Sequence, residues 1–183
     1  MFKFLGAIRL FIYSVINRKI SCFGYIGTPL LIKGFMQLTI KRNVRIFPGA
    51  RIEVHGAGKI TINENVSIGQ SLHLVSQKYV EIGADTLISS NVLITDLAHD
   101  YTEINKPIIE QKHLVRATII GKNCFIGAGA MIQPGTVLGK HCVVGANSVV
   151  AGNYPDYSVI AGVPAKVIKR YDVEREQWIK LDT

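Results

Sequence analysis

His99 is the side chain in this sequence best placed for acid–base chemistry. It lies in the stretch TDLAHDYTEINKPIIEQKHLVRATI, between Ile94 and Ile120, where an otherwise regular six-residue pattern fails. Imidazole titrates near pH 6.5, so it can take a proton from a hydroxyl group at cellular pH. Its second ring nitrogen needs a partner that fixes the tautomer. Asp96 and Asp100 are candidates, although Asp96 equally suits a turn cap. From the residues alone, a solvated loop histidine is the alternative interpretation of His99.

The pattern around this stretch is a repeat of six residues. Its strict part places an apolar residue at each of Ile120, Ile126, Ile132, Leu138, Val144 and Val150. Looser copies lie upstream, at Ile40, Ile46, Ile52, Ile62, Ile68, Leu74, Ile82, Ile88 and Ile94. One hexad suits a short strand followed by a tight corner, where glycine, asparagine or aspartate adopts a positive φ. Three hexads close a triangular coil, and stacked coils form three parallel sheets around an apolar core.

The sequence therefore predicts an all-β fold, a parallel β-helix with a protruding loop and a helix at each end. We expect an amphipathic helix over residues 1–20 and the β-helix over 21–170, with a loop excursion at 95–119. A C-terminal extension at 171–183 is expected to contain the short second helix. A solenoid tolerates an insertion only as an excursion from a corner, and such an excursion can build a pocket on a rigid wall.

Composition restricts the class of protein. The chain has 183 residues, a formal net charge of +8 and three cysteines without a framework spacing. The cysteine pattern does not describe a disulfide-stapled secreted protein, so we expect a cytoplasmic location. The net charge indicates an anionic partner. The basic residues are scattered and no aromatic-basic module is present, so we expect no nucleic-acid partner.

The repeat and its ending resemble the hexapeptide-repeat acyltransferases, whose fold is a left-handed parallel β-helix. The similarity covers about residues 40–170, and it is most specific in the six in-register hexads and in the ending SVIAGVPAKVIK at 158–169. Within that family it looks like the sugar and polysaccharide O-acetyltransferases. The resemblance implies acetyl-coenzyme A as co-substrate, no required metal, and a homotrimer with active sites between subunits. It also implies transfer of an acetyl group to a sugar hydroxyl, here expected to belong to a surface polysaccharide or its lipid-linked precursor.

The resemblance also carries site residues onto this chain. In the family, a histidine followed by a polar and an aromatic residue, as in His99, Asp100 and Tyr101, is the catalytic base, and Asp96 is taken with it as a catalytic residue. We expect His73, Asp100 and Tyr101 to bind the acceptor. The positions implied for the cofactor are small residues along the pantetheine arm and two lysines near the phosphates, namely Gly127, Ala128, Ala146, Ala151, Gly152, Lys166 and Lys169.

Several alternatives remain open at this point. The acceptor group could instead be an amino sugar, an amino acid or an antibiotic, and the fold could serve as a non-catalytic scaffold. A covalent route through Ser89 or Ser90 is disfavoured because no nucleophile-elbow motif surrounds them. A zinc site is disfavoured because His99 and His113 lack a short ligand spacing.

The N-terminal segment MFKFLGAIRLFIYSVINRKI has basic flanks and a broad apolar face. As a helix it groups Phe4, Ile8, Phe11, Ile12, Val15 and Ile16 on one side. It is too short and too interrupted by Arg9 to span a bilayer. It either packs on its own protein or a neighbouring subunit, or rests on anionic lipid at the inner face of the membrane.

Overall fold

A computed structural model describes residues 2–181 of the chain, and the predicted segments at both ends extend slightly beyond that range. The described part has one α-helix, α1 (Phe2–Ile16), and two short 3₁₀ turns, Phe35–Gln37 and Ile108–Glu110. The strands are β1 (Gly24–Ile26), β2 (Leu31–Lys33), β3 (Leu38–Ile40), β4 (Val44–Ile46), β5 (Arg51–Val54), β6 (Ile60–Ile62), β7 (Ser67–Ile68), β8 (His73–Ser76), β9 (Val80–Ile82), β10 (Leu87–Ile88), β11 (Leu93–Thr95), β12 (Leu97–His99), β13 (His113–Val115), β14 (Thr118–Ile120), β15 (Phe125–Ile126), β16 (Met131–Ile132), β17 (Val137–Leu138), β18 (Val143–Val144), β19 (Val149–Val150), β20 (Asn153–Tyr154), β21 (Ser158–Gly162), β22 (Ala165–Asp172) and β23 (Gln177–Lys180).

The strands form three sheets that the chain visits in turn. Sheet 1 runs β1-β4-β7-β10-β15-β18-β21-β22-β23, sheet 2 runs β2-β5-β8-β11-β16-β19, and sheet 3 runs β3-β6-β9-β14-β17-β20. All pairings from β1 to β21 within these sheets are parallel. The predicted parallel β-helix is therefore confirmed, and the hairpin β12–β13 stands outside it as a separate antiparallel pair.

The repeated apolar residues form the core. All fifteen predicted positions, from Ile40 to Val150, are no more than 1% exposed. Because parallel coils stack in register, each of these side chains lies against the equivalent one in the next coil, as Ile126 does against Val144. This continuous apolar column removes side chains from water in every coil and stabilises the solenoid along its length.

One corner of the triangle varies in length, and it is the corner between sheets 2 and 3. Successive buried residues are six apart on the other two sides. Across this corner the step is ten residues from Ile52 to Ile62 and eight from Leu74 to Ile82. The predicted excursion leaves from the same corner, between Ile94 and Ile120. The solenoid thus accommodates extra residues at one edge while its core spacing is preserved.

The excursion has an internal structure. Its base is the antiparallel pair β12–β13, and the 3₁₀ turn Ile108–Glu110 lies near its tip. Gln111 is 6% exposed, and its amide group binds three backbone groups, the N–H and C=O of Glu103 and the C=O of Lys106. A buried amide with its polar atoms paired fixes the local chain path. The excursion is therefore an ordered arm with its own hydrogen bonds.

The N-terminal helix covers the open end of the first coil. Leu10 is fully buried in the core, Arg9 donates to the carbonyl of Ile26 at 2.8 Å, and Asn17 donates to the carbonyls of Phe35 and Leu38. These bonds satisfy carbonyls that no preceding coil can reach. The helix ends at Ile16, before the predicted boundary at residue 20. No helix in the described residues is long and apolar enough to cross a bilayer.

The predicted C-terminal helix is wrong for the described residues. The parallel winding ends at β21, and β22 and β23 continue sheet 1 as antiparallel strands. The open edge of the last coil offers unpaired backbone groups, and a returning strand pairs with them where a helix could not. Aromatic residues favour this arrangement: Trp178 lies 5.5 Å from the ring of Tyr171 and 6.3 Å from that of His141.

Candidate active site

His99 lies at the base of the excursion and faces a second histidine. In the β12–β13 pair His99 is directly opposite His113, and their ring centroids are 4.8 Å apart in an edge-to-face arrangement. His113 Nδ1 lies 2.7 Å from Oε1 of Gln77, so this nitrogen carries the proton and donates to the amide oxygen. A chain of contacts therefore runs from the preceding coil, through Gln77 and His113, to the ring of His99.

The two faces of the hairpin look towards different coils. Side chains alternate along a strand, so His99 and His113 share one face, and Ala98 and Leu114 share the other. The histidine face meets Gln77, which belongs to the preceding coil. The opposite face lines a small cleft of about 180 Å³ that also contains Arg116 and Pro134, residues that follow the hairpin in the chain. His99 therefore points away from the coils that come after it.

The contacts of Asp96 favour the turn-cap interpretation that the sequence left open over the role of partner to His99, and a catalytic role for Asp96 stays a prediction. Asp96 is fully buried, and its carboxylate accepts bonds from the hydroxyl of Ser76 and from the three backbone N–H groups of residues 77–79, all at 2.7–2.8 Å. Oδ2 accepts three of these bonds and Oδ1 accepts the fourth, so the preceding corner holds the carboxylate on both oxygens. Asp96 instead anchors the preceding corner, from which Gln77 reaches His113. Its contribution to the site is to position that corner.

Asp100 and Tyr101 are part of the excursion loop. The Asp100 carboxylate accepts bonds from the backbone N–H and the hydroxyl of Thr102, and these bonds hold the pKa of Asp100 below its ordinary value. Tyr101 is 71% exposed. Asp100 is thus engaged with its own turn, and a contact of either residue with an acceptor remains a prediction.

His73 belongs to a polar network on the outer surface of sheet 2. His73 Nε2 lies 3.2 Å from Glu53 Oε1, and the same oxygen accepts a bond from Arg51 Nε at 2.6 Å. His55 approaches the other carboxylate oxygen at 3.7 Å. The bond from Arg51 is the largest cause that lowers the pKa of Glu53. His73 begins β8 and Gln77 directly follows that strand at the corner towards sheet 3, so this network, which we call the polar strip, reaches the coil that precedes the excursion.

The residues predicted for the cofactor do not form one cluster in a single chain. Gly127, Ala128 and Ala146 lie at the corner between sheets 1 and 2, while Ala151 and Gly152 follow β19 at the corner between sheets 2 and 3. The two lysines lie elsewhere, exposed on the antiparallel strand β22: they are Lys166 and Lys169. The isolated chain therefore does not bring the predicted cofactor residues together in a single groove along one edge.

Gly127 has a packing reason to be glycine. A Cβ at this position would lie 2.6 Å from the backbone nitrogen of Ala146 in the next coil. Its own N–H donates to the carbonyl of Val144 at 2.9 Å, so it is not available to a ligand. Its neighbour Ala128 is exposed at the same corner, so the backbone N–H of Ala128 is the candidate donor to an oxyanion.

Sequence reasoning missed His113 and Gln77 as members of the site. From the sequence, His113 enters only as a disfavoured zinc ligand, and no pattern singles out Gln77. A signal for the pairing was present: the turn-forming residues 105–107 lie midway between His99 and His113, which is where a hairpin would place its loop. No signal pointed to Gln77, because its role depends on the corner that Asp96 holds. Within residues 2–181, no group of three or more His, Cys, Asp and Glu side chains could hold a metal ion.

Comparisons with known proteins agree with this architecture. The family described as "Bacterial transferase hexapeptide (six repeats)" matches residues 117–152. The chain is 37% identical over 159 residues to the Escherichia coli protein WbbJ, provisionally named a lipopolysaccharide biosynthesis O-acetyl transferase, and the match covers 83% of this chain and 81% of that protein.

Two solved structures extend the comparison. The N-acyltransferase AntD from Bacillus cereus superposes with a TM-score of 0.71 at 22% identity over 83% of both chains, which shows a shared fold. A galactoside acetyltransferase solved in complex with coenzyme A superposes with a TM-score of 0.57 at 27% identity, covering 68% of this chain and 63% of that one. The predicted enzyme class, an acyltransferase, is confirmed by these relatives. The chain belongs to the hexapeptide-repeat transferase family, in its O-acetyltransferase branch.

Proposed function

We propose that this protein transfers an acetyl group from acetyl-coenzyme A to a hydroxyl of a sugar, with His99 as general base. The observation that carries the proposal is the placement of His99 on an ordered arm, edge to face with His113, whose Nδ1 bonds Gln77 of the preceding coil. A sugar hydroxyl loses its proton as it attacks, and imidazole is the side chain suited to accept it near neutral pH. The similarity to WbbJ supports a surface-polysaccharide unit as the acceptor.

The chemistry divides into a proton transfer and an acyl transfer. His99 accepts the hydroxyl proton while the sugar oxygen forms a bond to the thioester carbonyl carbon. The carbonyl oxygen becomes negatively charged, and the backbone N–H of Ala128 is the donor we assign to it. When the C–S bond breaks, the thiolate of coenzyme A leaves and takes up the proton from the His99 imidazolium, which restores the neutral base, and the sugar carries the acetyl ester. No covalent enzyme intermediate is needed for this sequence.

The residues of the chain fit acetyl-coenzyme A in their chemistry. Ala128 and Ala146 are exposed small residues stacked on successive coils, so a narrow pantetheine arm can approach the backbone closely. Lys166 and Lys169 are exposed on β22, where ammonium groups can attract phosphates. The similar galactoside acetyltransferase was solved with coenzyme A bound, which supports the same co-substrate here.

A homotrimer would bring these parts together. In one chain His99 faces the preceding coil, whereas the predicted cofactor residues lie on later coils at two separate corners. A neighbouring subunit that packs against the polar strip would supply the cofactor wall opposite His99. We therefore propose that each active site uses His99 from one subunit and the small-residue corners from another, inside a three-fold assembly.

The alternatives to this proposed function differ mainly in the acceptor group. The polar strip contains Arg51, Glu53 and His73, which together donate and accept hydrogen bonds as a ring of sugar hydroxyls requires. An amino sugar is the alternative acceptor, and the AntD likeness keeps the fold compatible with N-acylation. A scaffold without catalysis is the remaining alternative.

The test is acetyl transfer with matched hydroxyl and amino acceptors. The full chain is incubated with acetyl-coenzyme A and a panel of free and nucleotide-linked sugars that includes glucose and glucosamine, and products are identified by mass. The proposal predicts an acetyl ester that hydroxylamine removes. An acetyl amide as the sole product contradicts it in favour of the amino alternative. Failure of coenzyme A to bind in calorimetry contradicts it in favour of the scaffold.

A further inference from the structure

The N-terminal helix α1 exposes its apolar face and buries a narrower, more polar one. Gly6, Leu10 and Asn17 are buried against the first coil, and Tyr13 lies between them half-buried. These residues recur at spacings of three and four, so they share one side of the helix. The first coil is therefore covered by the side of α1 that carries the fewest large aliphatic residues.

The opposite side of α1 is a continuous apolar surface. Seven large apolar side chains share one side of the helix and are between 44 and 70% exposed: Phe4, Leu5, Ile8, Phe11, Ile12, Val15 and Ile16. Scattered exposed apolar residues are ordinary in soluble proteins, but a contiguous stripe of this length marks an interaction surface. We call it the apolar face of α1.

A basic cleft begins two residues beyond the end of α1. It has a volume of about 340 Å³, and its charged lining comes from two adjacent chain segments that contribute Arg18, Lys19, Lys41 and Arg42. All four side chains are exposed, and within residues 2–181 none of them forms an ion pair with a carboxylate. The guanidinium of Arg42 lies 5.2 Å over the ring of Phe23, itself 56% exposed. Positive charge and apolar surface thus adjoin at the same end of the solenoid.

We propose that this end of the molecule docks on an anionic phospholipid bilayer, with the apolar face of α1 at the level of the acyl chains and the basic cleft on lipid phosphates. Interfacial helices bind through buried apolar area together with attraction to anionic lipids, and both elements are present here. A second copy of the chain fits the surface less well, because a two-fold contact would bring one cluster of unpaired cations near the other. This docking holds the solenoid end-on to the membrane surface.

The chain supplies a reporter for the docked state. Cys22 is exposed and next to the cleft, whereas Cys124 and Cys142 are buried, so a thiol-reactive, polarity-sensitive fluorophore attaches selectively at Cys22. The labelled full chain is titrated with vesicles of phosphatidylcholine alone and of phosphatidylcholine with 30% phosphatidylglycerol, and binding is also measured by flotation. We expect a blue shift and at least tenfold stronger binding with the anionic vesicles, reduced by added salt.

Two double variants, each with its own control, separate the apolar and the charged contributions to vesicle binding. Phe11→Ser with Val15→Ser removes exposed apolar groups, and binding to anionic vesicles should fall about tenfold or more. Its control is Val173→Ser, an exposed apolar residue in the turn after β22, which should bind as wild type does. The altered side chains are exposed, so the melting temperature should not change.

The second double variant, Arg18→Ser with Lys41→Ser, removes two positive charges from the cleft. Anionic-vesicle binding should fall about tenfold or more, with binding to neutral vesicles unchanged. The matched control, Lys122→Ser with Lys180→Ser, removes the same charge from exposed positions outside the cleft. Equal loss in the second double variant and its control would show that net charge alone acts and would overturn the cleft assignment.

The remaining outcomes also decide the question. Equal binding to neutral and anionic vesicles, or no binding to either, overturns the proposal. If the Phe11→Ser and Val15→Ser variant instead dissociates an oligomer in light scattering while vesicles bind neither form, the apolar face is an interface between copies. Acetyl transfer to a water-soluble acceptor is independent of all these outcomes.

Discussion

At the scale of single residues, the site depends on polar groups that hold other polar groups in place. Asp96 fixes three backbone N–H groups of the preceding corner, Gln77 extends from that corner to His113, and His113 lies against His99. A buried carboxylate that accepts four hydrogen bonds stabilises one local geometry strongly. The position of His99, the proposed base, therefore depends on contacts with the preceding coil.

The first prediction concerns Asp96. Asp96→Asn keeps the size of the side chain but turns an acceptor oxygen into an NH₂ group that faces backbone donors. We expect a loss of about 3 kcal/mol in the free energy of unfolding. Thermal unfolding should show it as a melting temperature lower by about 6–12 °C. Asp85→Asn is the control, because Asp85 lies at an exposed corner with φ 61°, which asparagine tolerates. Equal stability of the two variants would contradict the structural role of Asp96.

The second prediction concerns pH and Glu53. Its pKa is lowered in the folded protein, chiefly by the bond from Arg51, so the unfolded chain binds a proton at higher pH than the folded one. The resulting stability is present above the ordinary glutamate pKa and is lost as the pH falls through the folded value. Urea unfolding between about pH 6 and 3 should therefore be less pH-dependent in Glu53→Gln than in wild type. An identical acid limb in both proteins would contradict this assignment.

At the scale of elements, the six-residue spacing predicts the core because each hexad contributes one inward side chain whatever the corner contains. The excursion was predictable as a break in that spacing, between Ile94 and Ile120. The partner of His99 in the hairpin was not predictable, because the composition of the loop does not fix the register of the two strands. The C-terminal segment was mispredicted because its charged residues suit a helix, while the open edge of β21 recruits it as strands.

Corner packing gives a prediction at this scale. Gly127→Ala places a methyl group against the backbone of Ala146, so two adjacent coils must shift. We expect destabilisation of about 1–3 kcal/mol, measured by urea unfolding. Gly56→Asn is the matched control. Gly56 has φ 54°, and a Cβ added there would meet no other atom within 4 Å. Destabilisation of the control by the same amount would mean that corner conformation, and not coil contact, is responsible.

At the scale of the whole molecule, the chain has an exposed apolar surface at one end and the proposed reaction site along its side. The two features are independent: α1 closes the first coil, whereas His99 stands on an arm from a later one. The proposed three-fold assembly is implied by the family resemblance and by no residue pattern. Intersubunit contacts depend on the relative placement of outward side chains, which the repeat does not encode.

The proposed trimer predicts a mass for the protein in solution. Light scattering after size exclusion should give about 61 kDa, three chains of 20.2 kDa each. Transfer activity should fall on dilution in step with loss of that species, because the proposed site uses residues from two subunits. A fully active species with the mass of one chain would contradict the shared site.

The most direct test of the central claim is the rate of acetyl transfer in His99→Ala, measured with an acceptor that the wild type uses and accompanied by coenzyme A binding in calorimetry. His141→Asn is the control, because His141 lies at a corner with φ 55°, a conformation that asparagine adopts readily. If His99 is the general base, kcat falls by about 10² to 10⁴-fold while coenzyme A binds with unchanged affinity. Transfer at the wild-type rate in His99→Ala would contradict the account.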